Sequence, residues 1–208
     1  MVPAEILERH GARLVRYRKD EIIVEQGSQA RDFLIVKSGG VKMASFNDDG
    51  REFVQGYFSE GQSFGEPPFF NQMPYPATAI AVVDSAIWRC SHEAFIELLR
   101  ANFEIHLQLT RVLSGRLMYK AMMLAEIAVE EAAHRLCTLI EYFAREAGAM
   151  QRPDFRVPYT RQQLADMTGL RVETVIRSVK ELEHVGKLRI EDGKIIWRRM
   201  IPDNTREE

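Results

Sequence analysis

Cysteine is scarce in this chain: Cys90 and Cys137 are the only two in 208 residues. Two isolated thiols cannot form a four-thiolate zinc or iron–sulfur site. Histidine adds no metal motif, because His10, His92, His106, His134 and His184 lie too far apart for the short ligand spacings of zinc sites. No metal is expected. Residues 13–90 contain no histidine at all, which excludes a cupin-like metalloenzyme there. A Ser/His/Asp set and a phosphate-cradling Gly-Lys-Ser/Thr run are missing too, so no enzyme activity is expected. No apolar run approaches the roughly 18 residues a spanning helix needs, so no membrane contact is expected. The N-terminus lacks a basic segment followed by an apolar one. The chain therefore reads as cytoplasmic, where a structural disulfide is not expected.

Charge of one sign is also lacking, with 28 Lys/Arg against 30 Asp/Glu. The total hides an asymmetry. Residues 1–150 hold 16 basic and 20 acidic side chains, whereas residues 151–200 hold 11 and 7. A small basic unit following an acidic one points to a polyanionic partner, although an ordinary solvated surface gives the same count.

Residues 4–10 read as a short amphipathic helix closed by Gly11. Short apolar runs at 21–25, 33–37, 41–46, 52–58, 78–83 and 86–90 then alternate with turns. Strands at this spacing predict a small all-β sandwich or barrel, with Asp49-Gly50 as its strongest hairpin signal. Ser91 is placed to cap a helix carrying Phe95, Ile96, Leu98 and Leu99, and helix dominates to about Gly148. Within it Thr110, Leu113, Leu117, Lys120, Leu124 and Ile127 recur at steps of three and four, the pattern of a helix that pairs with another. Val112, Tyr119, Met122 and Met123 flank the stripe and offer a second face to the helix's own domain. The stripe is thus expected to be a homodimer seam, with packing on the β-domain as the alternative. Lys120 at such a seam must reach water or an anion. A break near 129–131 precedes a further helix over 132–147, and 150–155 reads as a loop.

Thr160-Arg161-Gln162-Gln163 has the capping-box arrangement that opens a helix. Thr168-Gly169-Leu170 makes a tight turn, and a second helix runs from about Arg171 to Val185. Leu164, Leu170, Val175, Val179 and Leu182 close a core between the two, which defines a helix-turn-helix. The hairpin Leu188-Arg189-Ile190, Asp192-Gly193, Ile195-Ile196-Trp197 makes it a winged helix. The second helix projects Val172, Glu173, Ile176, Arg177 and Lys180 from one side. Arginine can take guanine O6 and N7 together and glutamate can accept from cytosine N4, so this face can read base pairs. Glu173 and Arg177 also satisfy the spacing of an intrahelical ion pair. Arg161, Gln162, Arg171 and Thr174 sit at helix N-termini, where DNA phosphates would lie. Thr160 and Lys180 complete the phosphate candidates.

With these pieces in this order, the chain resembles the Crp/Fnr family of transcription factors. Glu25-Gln26-Gly27 and Ile35-Val36-Lys37-Ser38-Gly39 match the first strands of the family's cyclic-nucleotide-binding-type roll. Glu60-Gly61-Gln62-Ser63-Phe64-Gly65-Glu66 matches the entry to its phosphate cassette. Thr160-Arg161-Gln162, Val172-Glu173-Thr174-Val175 and Arg177 match its helix-turn-helix. The resemblance implies an α+β chain: an N-terminal double-stranded, jelly-roll-like β-roll over 1–100, a dimerisation helix and hinge over 101–130, and a winged helix-turn-helix over 131–208. It implies that Arg161, Gln162 and Thr174 hold phosphates while Glu173 and Arg177 read the G·C pair of a TGA-type core. Val172 stands where Fnr-like members have valine, which implies a half-site close to TTGA, twice per palindrome. Ile176 departs from the Fnr-like serine and leaves the outer bases open. Arg171 at a capping position and Ser178 at a usually apolar one are mildly unfavourable. The loop 150–154, containing Met150 and Asp154, resembles the segment that contacts RNA polymerase, which implies activation.

Members that bind cyclic AMP carry Gly-Glu and, several residues on, Arg-Ser/Thr-Ala, whose arginine pairs with the cyclic phosphate. Gly65 and Glu66 are present, but Pro76 stands at the arginine position. Lys120 and Ala121 stand at those expected to meet the adenine. Pro67 and Pro68 remove two backbone donors nearby. An anion without its charge-assisted partner loses roughly 2–5 kcal/mol. Cyclic AMP is therefore not expected, and no cofactor is assigned. The candidate effector pocket is Gly65, Glu66, Phe70, Tyr75, Ala77, Thr78 and Lys120. Phe69, Phe70 and Tyr75 either line a site for an uncharged or aromatic ligand, with Lys120 facing any acidic group, or fill the emptied space. Two alternatives are a ligand-binding regulatory subunit without DNA activity and a cyclic-AMP-responsive regulator with a degenerate cassette.

Overall fold

The computed structural model describes residues 2–46, 52–129 and 131–198, with the side chains of 127–129 excepted. Two compact units, Met1–Ser114 and Gly115–Glu208, divide within one long helix.

The first unit opens with α1 (Ala4–Arg9), β1 (Arg13–Tyr17) and β2 (Ile22–Val24). It continues with β3 (Asp32–Ser38), β4 (Gly40–Phe46), β5 (Glu52–Ser59), β6 (Ser63–Phe64) and α2 (Glu66–Asn71). Then come β7 (Thr78–Ala81), β8 (Ser85–Ser91), α3 (His92–Ala101) and the start of α4 (Phe103–Val129). The strands form two antiparallel four-stranded sheets, ordered β1-β8-β3-β6 and β2-β7-β4-β5, the expected double-stranded roll. β3 and β8 are buried over most of their length because α3 covers them outside the sandwich. Their continuous apolar runs follow from burial on both faces. The Asp49-Gly50 turn lies outside the described residues, but the strands it would join pair up to Phe46 opposite Glu52.

Three elements of this unit have no clear local signal. β1 is mostly exposed and carries Arg13 and Arg16, and its strand form rests on pairing with β8 from Arg13↔Arg89 to Tyr17↔Ser85. β6 is two residues long. α2 contains Pro67 and Pro68, which are tolerated because the first-turn N–H groups of a helix have no helical acceptor.

The second unit contains the end of α4, α5 (Ala132–Glu146), β9 (Asp154–Arg156), α6 (Arg161–Thr168) and α7 (Val172–His184), followed by β10 (Leu188–Glu191) and β11 (Lys194–Arg198). Leu136, Leu139, Ile140, Leu164, Val175, Val179 and Leu182 are buried together between α5, α6 and α7. β10, β11 and β9 make an antiparallel sheet beside them. Here two expectations need correction. The loop ends at Pro153, since Asp154 and Phe155 belong to β9 and face Arg198 and Trp197 of β11. Arg189 fixes that short strand by two hydrogen bonds to the Asp154 carboxylate, at 3.0 and 2.9 Å. The helix's second apolar face is also narrower than expected. Tyr119 and Met123 pack on the helical core, whereas Val112 is 46 % and Met122 36 % exposed. Among the described residues no helix is long and apolar enough to cross a membrane.

Two glycines make opposite predictions. Gly39 has φ +89°, and a Cβ there would lie 2.3 Å from Ser85 Oγ and 2.6 Å from the Asp84 carbonyl. Gly39→Ala should cost about 1–3 kcal/mol or more of stability by urea unfolding. Gly115 lies within α4 with nothing within 4 Å of its Cβ position, so Gly115→Ala should gain about 0.5–1 kcal/mol.

Candidate nucleic-acid interface and effector site

The first helix of the motif starts as its sequence requires. Thr160 Oγ1 accepts from the Gln163 N–H at 3.2 Å, and Gln163 Oε1 accepts from the Thr160 N–H at 2.9 Å. Gly169, at φ +68°, supplies the left-handed turn into α7. Arg171 caps α7 without a side-chain hydrogen bond to it. The inward face of α7 is Val175, Ser178, Val179 and Leu182, so Ser178 is a core residue at 3 % exposure.

On the opposite face Glu173, Ile176, Arg177 and Lys180 form one exposed stripe. Ile176 is 41 % exposed, an apolar surface of the kind a thymine methyl contacts. Among the described residues no ion pair joins Glu173 to Arg177, so both charged groups remain available to a ligand. Val172 is half-buried and packs on the helical core, so its surface is shared between core and solvent. Of the phosphate candidates, Thr160, Gln162, Arg171 and Lys180 are exposed, while Arg161 and Thr174 are half-buried.

Arg161 also has an unforeseen partner: its Nη1 donates to the Gly193 carbonyl at the tip of the wing. Asp192 at φ +48° and Gly193 at φ +73° form that tip, the signature of a type I′ turn. The bond brings the wing tip and the N-terminus of α6 together. Gln162 Nε2 donates to Asp166 Oδ1 at 2.8 Å.

In the roll, the cassette residues are satisfied internally. Glu66 is 2 % exposed, and its Oε1 accepts from Ser63 Oγ at 2.5 Å. Thr78 Oγ1 accepts from the Gln26 N–H at 3.1 Å. Tyr75 is 3 % exposed, and its ring lies so close to Gly65 that a Cβ there would meet Cε1 at 2.8 Å. Burial pushes the Tyr75 hydroxyl up to about 12. Ala77 is fully buried, and Phe70 is half-buried edge-on to Phe69, a core residue. Lys120 belongs to the second unit and is exposed.

Along the expected seam, Leu113 is half-buried, Leu117 is 70 % and Leu124 69 % exposed, and the Ile127 side chain lies outside the described residues. Cys90 and Cys137 are both free and buried. Among the described residues no group of three or more His, Cys, Asp or Glu side chains could hold a metal.

A β-roll of this topology and a winged helix with an exposed polar stripe define a two-unit DNA-binding regulator. The cyclic nucleotide-binding domain family matches residues 14–102, and the Crp-like helix-turn-helix domain matches residues 132–200. The cAMP-activated global transcriptional regulator CRP of Haemophilus influenzae is 29 % identical over 172 residues, covering 82 % of this chain and 77 % of that protein. Vfr of Pseudomonas aeruginosa, also a cAMP-activated global transcriptional regulator, is 26 % identical over 186 residues, 87 % of each chain. Among solved structures, FixK2 from Bradyrhizobium japonicum superposes with a TM-score of 0.72 at 22 % identity, covering 90 % of this chain and 92 % of its own. The chain belongs to the Crp/Fnr family of DNA-binding transcription regulators.

The buried thiols give a pH prediction. Burial pushes both Cys90 and Cys137 up from 9.0 to about 11. Between those values the unfolded chain loses its thiol protons before the folded one does, so stability falls as pH rises through this window and is unaffected below it. Urea midpoints at about pH 8 and about pH 10 should differ accordingly, and by less in Cys90→Ala. Alkylation of both thiols near neutral pH should be slow until the protein is unfolded.

Proposed function

We propose that this chain is a homodimeric regulator reading a TTGA-like palindrome without cyclic AMP. The observation that carries the reading is the exposed stripe of α7, where Glu173 and Arg177 are unpaired with one another on a helix whose other face is core. Arg177 would take guanine and Glu173 the opposite cytosine, with Val172 and Ile176 on adjoining bases. Thr160, Arg161, Gln162, Arg171, Thr174 and Lys180 would hold the phosphates that set the register. Leu113, Leu117, Lys120, Leu124 and Ile127 would form the dimer seam, spacing two half-sites about one helical turn apart. The roll would act on DNA binding through the segment 129–131. The loop 150–153, with Asp154 at the start of β9, would meet RNA polymerase in the cytoplasm and favour activation.

Cyclic-AMP independence is supported by Pro76 at the place of the phosphate-binding arginine, and by Tyr75 and Glu66, which are already buried and partnered. A cyclic-AMP-responsive protein is the second reading, favoured by relatives that are themselves cAMP-activated.

Selection from a random DNA pool by the purified, ligand-free protein should recover a TTGA-containing palindrome. Arg177→Ala should then lose about 1–3 kcal/mol of discrimination at the guanine, measured by competition binding. Added cyclic AMP should leave the affinity unchanged. Recovery of DNA only in its presence would establish the second reading.

A further inference from the structure

We propose that the winged-helix unit carries a ligand site of its own, a cleft at the base of the wing that takes a small aromatic carboxylate. The cleft measures about 340 Å3 and lies among the C-terminal part of α5, the segment leading to β9, and the ends of β10 and β11 away from the wing tip. That volume is within the usual range for small-molecule sites. Phe155 and Trp197 give it two aromatic walls, and Trp197 is 8 % exposed.

Arg152, Lys187 and Arg198 stand around these rings and are all exposed. None of the three has a side-chain hydrogen bond or ion pair with another described residue, and neither does the indole N–H of Trp197. Glu141 is the one carboxylate among the lining residues. Three cations against one anion leave an excess positive charge beside an apolar floor. A planar apolar body bearing one carboxylate fits both, with its ring against Phe155 and Trp197 and its charge toward the guanidinium groups.

The cleft is separate from the base-reading stripe. Lys187 follows the C-terminus of α7, which is 13 residues long, so the helix places it about 20 Å from the end that carries Glu173. Along the wing, Lys187 and Arg198 lie at the opposite end from Asp192 and Gly193. A ligand here would join α5, β9 and both wing strands, and so bias the wing that Arg161 ties to α6.

Benzoate is the probe, titrated calorimetrically into the full-length protein, with benzamide and inorganic phosphate as controls. The expected result is one saturable benzoate site per chain in the millimolar range or tighter, and none for either control. Combined Arg152→Ala, Lys187→Ala and Arg198→Ala should weaken it at least tenfold while leaving DNA affinity and its salt dependence unchanged. Each single substitution should weaken it less, which guards against misfolding of the triple variant. In Trp88→Phe, where Trp197 is the only remaining indole, benzoate should change the emission with the same midpoint. Absence of saturable binding at tens of millimolar, or equal binding by the triple variant, would overturn the proposal. A fall in the DNA salt slope in the triple variant would also overturn it, because the cations would then be backbone contacts. The pool selection is scored without benzoate, so failure of the TTGA reading remains a distinct result.

Discussion

Val175, Val179 and Leu182 are almost fully buried against α5 and α6, and this contact fixes the rotation of α7 about its own axis. Burial of such side chains contributes on the order of 1.5–3 kcal/mol each. Turning the helix by one residue would expose them and drive Glu173 or Arg177 toward the core, where an unpaired charge is far more costly. The exposed stripe is therefore defined by what lies behind it. Ser178 belongs to this inward face, and its small side chain fills less space than the apolar residue usual there. Thr168, fully buried at the end of α6, avoids an unsatisfied hydroxyl by donating to the Leu164 carbonyl at 2.7 Å.

The same requirement shapes the roll. A buried carboxylate without a partner is costly, so a site that awaits a ligand commonly leaves its polar groups solvated or exposed. Glu66 is instead buried and bonded to Ser63, Thr78 accepts from the Gln26 N–H in the turn after β2, and Tyr75 packs on Gly65. Pro76 brings no charge to this loop. Tyr75 and Phe69 have almost no exposed surface.

Residues with strong local rules were legible in the sequence. Thr160 and Gln163 cap each other, Gly169 takes a positive φ, Ser91 caps α3, and Asp192-Gly193 turns the wing. Each feature is decided within a few residues. β1 and β9 were not legible, because Arg13–Tyr17 and Asp154–Arg156 become strands only through partners far along the chain. In the candidate site the stripe was readable from helical spacing, but the bond from Arg161 to Gly193 was not. An arginine at a helix N-terminus looks the same whether it awaits a phosphate or reaches a carbonyl 32 residues away. The cleft beneath the wing was hidden for a like reason, since Arg152, Lys187 and Arg198 share no periodicity.

The long helix carries the remaining constraint. Leu117, Met118 and Leu124 are each about 70 % exposed on α4, although both units bury most of their large apolar side chains. Leu117 and Leu124, exposed seven residues apart on one face, are what a partner helix covers, and Lys120 between them keeps a route to water. A second copy on this face would do more than bury surface. A single winged helix contacts few base pairs, and each good contact discriminates by about 1–3 kcal/mol. Two copies fixed at one spacing add their contributions on a palindrome and lose half of them elsewhere, because the second binding event is intramolecular only when both half-sites are in reach. Specificity would then depend on the separation set by α4 as much as on Glu173 and Arg177.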